Sequence, residues 1–460
     1  MVKRIVKGVT LGTLLVAVST LCSRDSSGGK VHISANLINV RDYGARGNGL
    51  WDDTAAIQKA LDAAAKLGGA SVYFPKGTYL VQGSKTLRVS SGTTLYGEGS
   101  ASVIKASPRT FGWEMMRLSG HDIEIRNLAL DGNQQVNRVL VIGGGSSRIT
   151  LTRLVVSNAA QSKDKNSDYY SGVIAGIVVY GDTQTIRISD IEVKNVVARN
   201  LSEGSMVARG IYVTTTWGSR ELPAHDVEIR DSHIHHIGPA DDGDGLYVED
   251  PHMDSGNGHD MEVRIINNTF DHCAKRAIKI YAEGIEVEGN RIINSYLNDN
   301  YFQGTQKGKL APDMYAAISV YGSSNSVMNN IIEGKGSFYA AIEVGDGETV
   351  RDISIKGNTV VMGARSSIQG TTSIRLGNIE EFTIANNTLR HGERGIWTWQ
   401  NAKDGLIQSN DIQMSQGGGI DLTTYLPGYF QQDIQVLGNR ISARNFRVQL
   451  GPTNCNVVVK

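Results

Sequence analysis

Residues 245–249 read GLYVE, 277–281 read AIKIY and 317–321 read AISVY, three copies of small, apolar, variable, apolar, variable. The pattern begins earlier, at 176–180 (GIVVY) and 210–214 (GIYVT). It continues at 341–345 (AIEVG), 373–377 (SIRLG), 395–399 (GIWTW) and 419–423 (GIDLT), nine rungs in all. Two apolar residues two apart carry the strand period. Steps of 22 to 40 residues between rungs are too irregular for helical repeats of fixed length and suit short strands joined by loops of variable size. One such unit cannot bury its apolar edge alone and must stack on copies of itself. The reading is an all-β fold, a single-stranded parallel β-helix.

A second ladder agrees. Asn stands just before an apolar strand in NNTF (267–270), GNRI (289–292), NNII (329–332), GNTV (357–360), NNTL (386–389), SNDI (409–412) and GNRI (438–441). Asn tolerates a left-handed bend, and its amide can bond the Asn of the next coil. With 460 residues, 53 Gly and 8 Pro, the chain is rich in bends yet 40% hydrophobic, and a solenoid lengthens by adding coils rather than splitting into domains. Zero formal net charge argues against nucleic acid as a partner, so any specificity for a charged ligand must be local.

The N-terminus has the form of an export signal. Lys3, Arg4 and Lys7 precede the apolar run Val9–Leu21, which is too short for a stable membrane span. Ala17 and Ser19 supply a small-x-small cleavage site, giving a signal over 1–22, a polar leader over 23–37 and a β-helix domain over 38–460. Cys22 offers a lipid anchor, but Leu21 stands where a lipobox takes a small residue. The expected location is periplasmic or extracellular. Cys273 and Cys455 fall on coils far apart, so no disulfide is expected between them.

Residues 38–81, INVRDYGARGNGLWDDTAAIQKALDAA followed by GGASVYFPKGTYLV, resemble the opening of the pectate-lyase-type β-helix proteins. That superfamily includes polysaccharide lyases, family 28 glycoside hydrolases, mannuronan carbon-5 epimerases and phage tailspikes. The resemblance implies a right-handed solenoid and leaves the chemistry open. The residues themselves give a helix over 54–67, with Ala56, Ile57, Ala60, Leu61 and Ala64 on one face, Asp52 or Asp53 as cap and Gly68 as stop. It would plug the open end of the solenoid.

Aligned rungs define the outer face. The residue between each apolar pair gives the column Val178, Tyr212, Tyr247, Lys279, Ser319, Glu343, Arg375, Trp397, Asp421. The next outward column includes Tyr180, Thr214, Glu249, Tyr281, Tyr321 and Trp399. Insertions at 158–173, 215–224, 250–259 and 295–315 flank the first five rungs and would wall a groove. Tyr247, Lys279, Glu249 and Tyr281 then form one patch, and aromatic side chains on an exposed sheet match sugar faces. Tyr212, Glu249, His252, Tyr321, Glu343, Arg375, Trp397 and Trp399 are the expected substrate contacts.

A third column opens each strand with Arg209, Asp244 and Arg276 on rungs two to four, and a charge there should swing outward at the bend. GDG at 243–245 resembles the first catalytic motif of family 28 hydrolases, with Asp244 in place. AKRAIKI at 274–280 puts Lys275 and Arg276 where that family's second motif has two Asp. The paired carboxylates of an inverting hydrolase are therefore missing. Arg209, Arg276 and Lys279 suit β-elimination on a uronate instead, with cations for the carboxylate and Lys279, Tyr247 or Tyr281 as base or acid.

The expected function is an exported lyase acting on an acidic polysaccharide. The runner-up is a hydrolase using Asp244 with Glu249 or Asp242; further alternatives are a carbon-5 epimerase and a non-catalytic tailspike-like glycan binder. Epimerases stay in view through Asp250-Pro251-His252, which resembles their DPH motif. Lys279 and Arg276 could also simply pair with Glu249 and Asp244. The lyase requires no cofactor, or Ca²⁺ held by Asp244 and Glu249, with Asp241, Asp242 and Asp250 nearby. One of His233, His235 and His236 is expected to face the groove.

Overall fold

A computed structural model describes residues 37–199, 207–238, 242–294, 314–334, 338–345, 347–363 and 371–460. The signal segment, the leader up to residue 36, Asp241 and most of the 295–315 insertion lie outside the described residues.

Apolar pairs at strand spacing drive the winding, because each coil covers the apolar edge of the one before. Ile211, Val213, Leu246, Val248, Ile278, Ile280, Ile318 and Val320 are all fully buried in one continuous core. The described strands pair in parallel into one sheet of 28 strands and one of 13. In the 13-stranded sheet every coil pairs with the next in chain order, from Leu87–Val89 to Val448–Leu450. This sheet contains all nine rungs.

Its register reproduces the aligned columns. Tyr212 pairs with Tyr247, Tyr247 with Lys279, Lys279 with Ser319, Ser319 with Glu343, Glu343 with Arg375, Arg375 with Trp397, and Trp397 with Asp421. The small first residue of each rung has a steric cause. A Cβ on Gly210 would stand 2.3 Å from the Gly245 carbonyl oxygen and 2.7 Å from Ile234 Cγ2 in the core. Residues 210 and 211 thus both face inward, which breaks the alternation and leaves Arg209 on the outer side. Arg276 and Asp244 follow in register with it.

The asparagines divide the labour of the turn. Asn267, Asn329 and Asn386 take left-handed φ near 55°. The following Asn268, Asn330 and Asn387 join Asn290, Asn358, Asn410 and Asn439 in a ladder along the solenoid. Each backbone N–H donates to the next side-chain oxygen at 2.9–3.0 Å.

The end cap forms as expected, over Thr54–Lys66, with Ile57, Ala60, Leu61 and Ala64 buried and Gly68 left-handed beyond it. The capping detail differs. Asp52 accepts from the Thr54 N–H at 2.9 Å, whereas Asp53 accepts from the Arg46 and Gly47 N–H groups and ties the preceding loop. Cys273 is buried, Cys455 is exposed, and both are free.

Candidate functional site

Rungs two to four carry a dense group of charges on the outer face. Asp242 is its centre. Arg209 reaches the Asp242 carboxylate at 2.5 Å, Arg276 at 3.0 Å, Lys279 at 3.1 Å and Lys275 at 3.6 Å. Asp244 is completely buried beneath it, 2.6 Å from Arg209 and 3.6 Å from Arg276. Arg276 also donates to Ser319 Oγ at 3.1 Å. Four cations against two carboxylates leave a local excess of positive charge on a chain with no net charge.

The environment sets the protonation states. Burial works to raise the Asp242 pKa, but Arg209, Lys279, Arg276 and Lys275 outweigh it and hold the carboxyl well below the usual range. Burial lowers the Lys279 pKa; Asp244 and Asp242 oppose that shift, while Arg209 and Arg276 add to it. Lys279 Nζ lies 4.5 Å over the Tyr247 ring, and the Arg209 guanidinium lies 4.7 Å from the same centroid. Tyr247 stacks on Tyr212 with centroids 5.3 Å apart and planes within 7°.

Glu249 belongs to the tyrosines rather than to the cations. It accepts from Thr214 Oγ1 at 2.8 Å, from Tyr247 OH at 3.1 Å and from Tyr212 OH. Burial and Glu249 push both phenols far above their ordinary range, so they stay protonated.

Another buried carboxylate, Glu343, lies on rung six. Glu343 accepts from Tyr315 at 2.9 Å, Tyr321 at 2.6 Å, Ser319 at 3.2 Å and Arg375 at 3.2 Å. Arg375 then lies over the Trp399 ring at 4.1 Å, and Trp397 donates its indole N–H to the Thr423 carbonyl beneath the Arg394 guanidinium. An aromatic and cationic strip thus extends from rung two to rung eight.

Several expected site residues lie elsewhere or in other company. Asp244 and Glu249 hold separate partner sets, and Asp244 is sealed from solvent. Lys279 pairs with Asp242 and not with Glu249. Tyr281 turns to the loop after Asp250, and its hydrogen bond to Asp254 pushes its pKa up to about 12. His252 meets the Glu221 carbonyl oxygen at 2.8 Å between two insertions. Asp250 is buried, accepting from the His252 and His259 N–H groups. His233, His235 and His236 do not face the groove: their strand, His233–Ile237, belongs to the other sheet.

Sequence reasoning undervalued Asp242 and Lys275 and missed Tyr315. The signal for Tyr315 was present in YAAI at 315–318 and again at 339–342, which stacks Tyr315 on Tyr339 at 5.4 Å.

Residues 37–233 match the family described as rhamnogalacturonase A/epimerase, pectate lyase-like, and residues 316–460 match the right-handed β-helix region. The chain is a right-handed β-helix protein, and its N-terminal part is similar to the pectate-lyase-like family. Alginate lyase 7 of Azotobacter vinelandii is 30% identical to this β-helix over 191 residues, 36% of the chain and 22% of that relative's length. Plasmin and fibronectin-binding protein A of Streptococcus pneumoniae is 63% identical over 54 residues, 12% of the chain and 8% of that relative. The chain therefore spans less than a quarter of either relative. The crystal structure of PfbA, a surface adhesin of Streptococcus pneumoniae, superposes with a TM-score of 0.62 at 17% identity, covering 86% of this chain and 93% of that one. That likeness concerns the fold.

Proposed function

We propose that rungs two to four bind an acidic polysaccharide outside the cell and cleave it by β-elimination at a uronate. The observation that carries this reading is Lys279, a half-buried amine whose pKa is lowered by burial, set among Arg209, Arg276 and Lys275 on an aromatic floor. The cations would neutralise the uronate carboxylate and acidify the carbon-5 hydrogen. Lys279 as free amine would take that proton. The electron pair would form the carbon-4 to carbon-5 double bond and expel the glycosidic oxygen at carbon 4. Tyr247, still protonated beside Lys279, would return a proton to that oxygen.

Two of the three carboxylates named for the hydrolase alternative are poorly placed to act as its acid. A general-acid carboxyl must keep its proton near neutral pH, yet Asp242 is held ionised and Asp244 is sealed against Arg209. Likeness to an alginate lyase supports a uronan as the substrate class. The closed ion network favours a second reading: a glycan-binding surface without turnover.

Incubation with alginate, pectate, glycosaminoglycans and bacterial exopolysaccharides tests both. Ultraviolet absorbance of unsaturated ends together with new reducing ends marks a lyase. Reducing ends without absorbance mark a hydrolase. Bound polymer of unchanged length and sugar configuration marks a binder, and changed configuration at unchanged length marks an epimerase.

A further inference from the structure

A different cluster lies outside the groove. Strands Glu192–Val196, His233–Ile237 and Thr269–Cys273 run side by side on the other sheet. Their register stacks Glu192 on His233, and Lys194 on His235 and Asp271. Ile234 and Ile237 turn into the core, so His233 and His235 point out. His236 takes a left-handed φ of 54°, which breaks the alternation and brings it to the surface beside His235. His272 does the same on the next coil, with φ 47°, and stacks on His236 at 4.4 Å.

The hydrogen bonds assign the free lone pairs. His235 Nε2 lies 3.0 Å from Glu192 Oε1, so the proton belongs on Nε2 and Nδ1 is left as a donor of electrons. That Nδ1 is 2.6 Å from His236 Nδ1. An Asp271 carboxylate oxygen completes a trio whose ligand atoms all lie within 4.8 Å of one another. Asp271 is itself steadied by His233 Nε2 at 2.6 Å and by His272. A carboxylate behind one imidazole and imidazoles behind the carboxylate are the supports that orient metal ligands. With bonds of about 2.0–2.1 Å, tetrahedral donors stand about 3.3 Å apart, so a small rotation of His236 suffices to admit an ion.

We propose that His235, His236 and Asp271 bind a divalent transition cation, with Zn²⁺ the best match to two imidazoles and a carboxylate. The ion would sit apart from the sugar groove and join two adjacent coils, the same coils that present Asp242 and Lys279. Its role is a staple for this part of the solenoid rather than a participant in sugar chemistry. The ligand chemistry excludes Ca²⁺, which takes an all-oxygen shell.

The test is calorimetric titration of the untagged full chain with Zn²⁺, alongside thermal unfolding. One ion per chain is expected, with affinity at least about ten-fold weaker in His236→Ala and Asp271→Asn. The unfolding midpoint should rise with Zn²⁺ in the wild type and stay flat in His236→Ala. His236 is exposed, so its removal leaves the fold intact. His121→Ala, a surface histidine on another coil, should bind as the wild type does. Equal affinity in wild type and His236→Ala, or no binding at millimolar Zn²⁺, overturns the proposal.

Discussion

Lys279 Nζ and Asp242 Oδ2 are 3.1 Å apart across the boundary between two coils, and this contact decides how the candidate base is held. The carboxylate favours the ammonium, whereas burial and two arginines favour the amine. Burial prevails. Replacing Lys279 by Ala should therefore lower turnover by about two to four orders of magnitude, the usual loss with a general base, while circular dichroism stays unchanged. Lys279→Arg keeps the charge and should be nearly as inactive. Wild-type rates in either variant would remove Lys279 from the chemistry.

The pH profile follows from the same contact. With the amine as base, rate rises as Lys279 loses its proton, at a pH below the ordinary lysine value of about 10.4. Asp242→Asn deletes a charge that favours the ammonium, so the rise should move to lower pH. The stability sign is fixed as well: the folded pKa lies below the unfolded one, so folding releases this proton and stability climbs with pH between the two values. A rise that moves to higher pH in Asp242→Asn would contradict the assignment.

Metal removal separates the two roles open to Asp244 and Glu249. Asp244 already faces Arg209 and Arg276, and Glu249 already accepts from three hydroxyls. Turnover should be unaffected by a chelator and by added Ca²⁺. Inactivation that Ca²⁺ reverses would show that the two carboxylates rearrange around a cation when substrate is present.

The asparagine ladder predicts a stability loss far from the groove. Asn358 donates to the Val327 carbonyl at 2.9 Å and to Asn387 at 3.0 Å, and accepts from Asn330 at 2.9 Å. Asn358→Ala leaves these buried partners unsatisfied, at about 1–3 kcal/mol each. The unfolding midpoint should fall clearly while ligand affinity in the groove stays unchanged.

Residues that obey the strand period were legible in the sequence. Once GLYVE and AIKIY are laid over one another, Tyr247 must neighbour Lys279, because coils stack in register and the apolar pairs fix which side is in. What escaped was the choice of partner. Asp242, three residues before the rung begins, opens its strand and gathers Arg209, Arg276 and Lys279, and no periodicity specifies that reach. Glu249 likewise took the tyrosines because Tyr212 and Tyr247 stack just beside it. The one histidine expected in the groove is not there, because HIHHI carries a strand pattern of its own. Laid over TFDHC of the next coil, it pairs with the adjoining sheet.

Trp397 tests the extent of the groove. It lies four rungs beyond Lys279, about 19 Å at one strand spacing per rung, a reach of several sugar units. Its indole N–H is anchored on Thr423, and Arg375 and Arg394 lie within 5.8 Å and 4.2 Å of its ring centroid, so charge and aromatic surface are presented together. An acidic chain seated at Lys279 and long enough to reach rung eight should gain from this contact, and a short oligosaccharide should not. Trp397→Ala should thus raise the KM or Kd for long chains several-fold and leave short ones and kcat nearly unchanged. An equal loss on both lengths would mean that Trp397 only covers the core, and the binding strip would then end before rung eight.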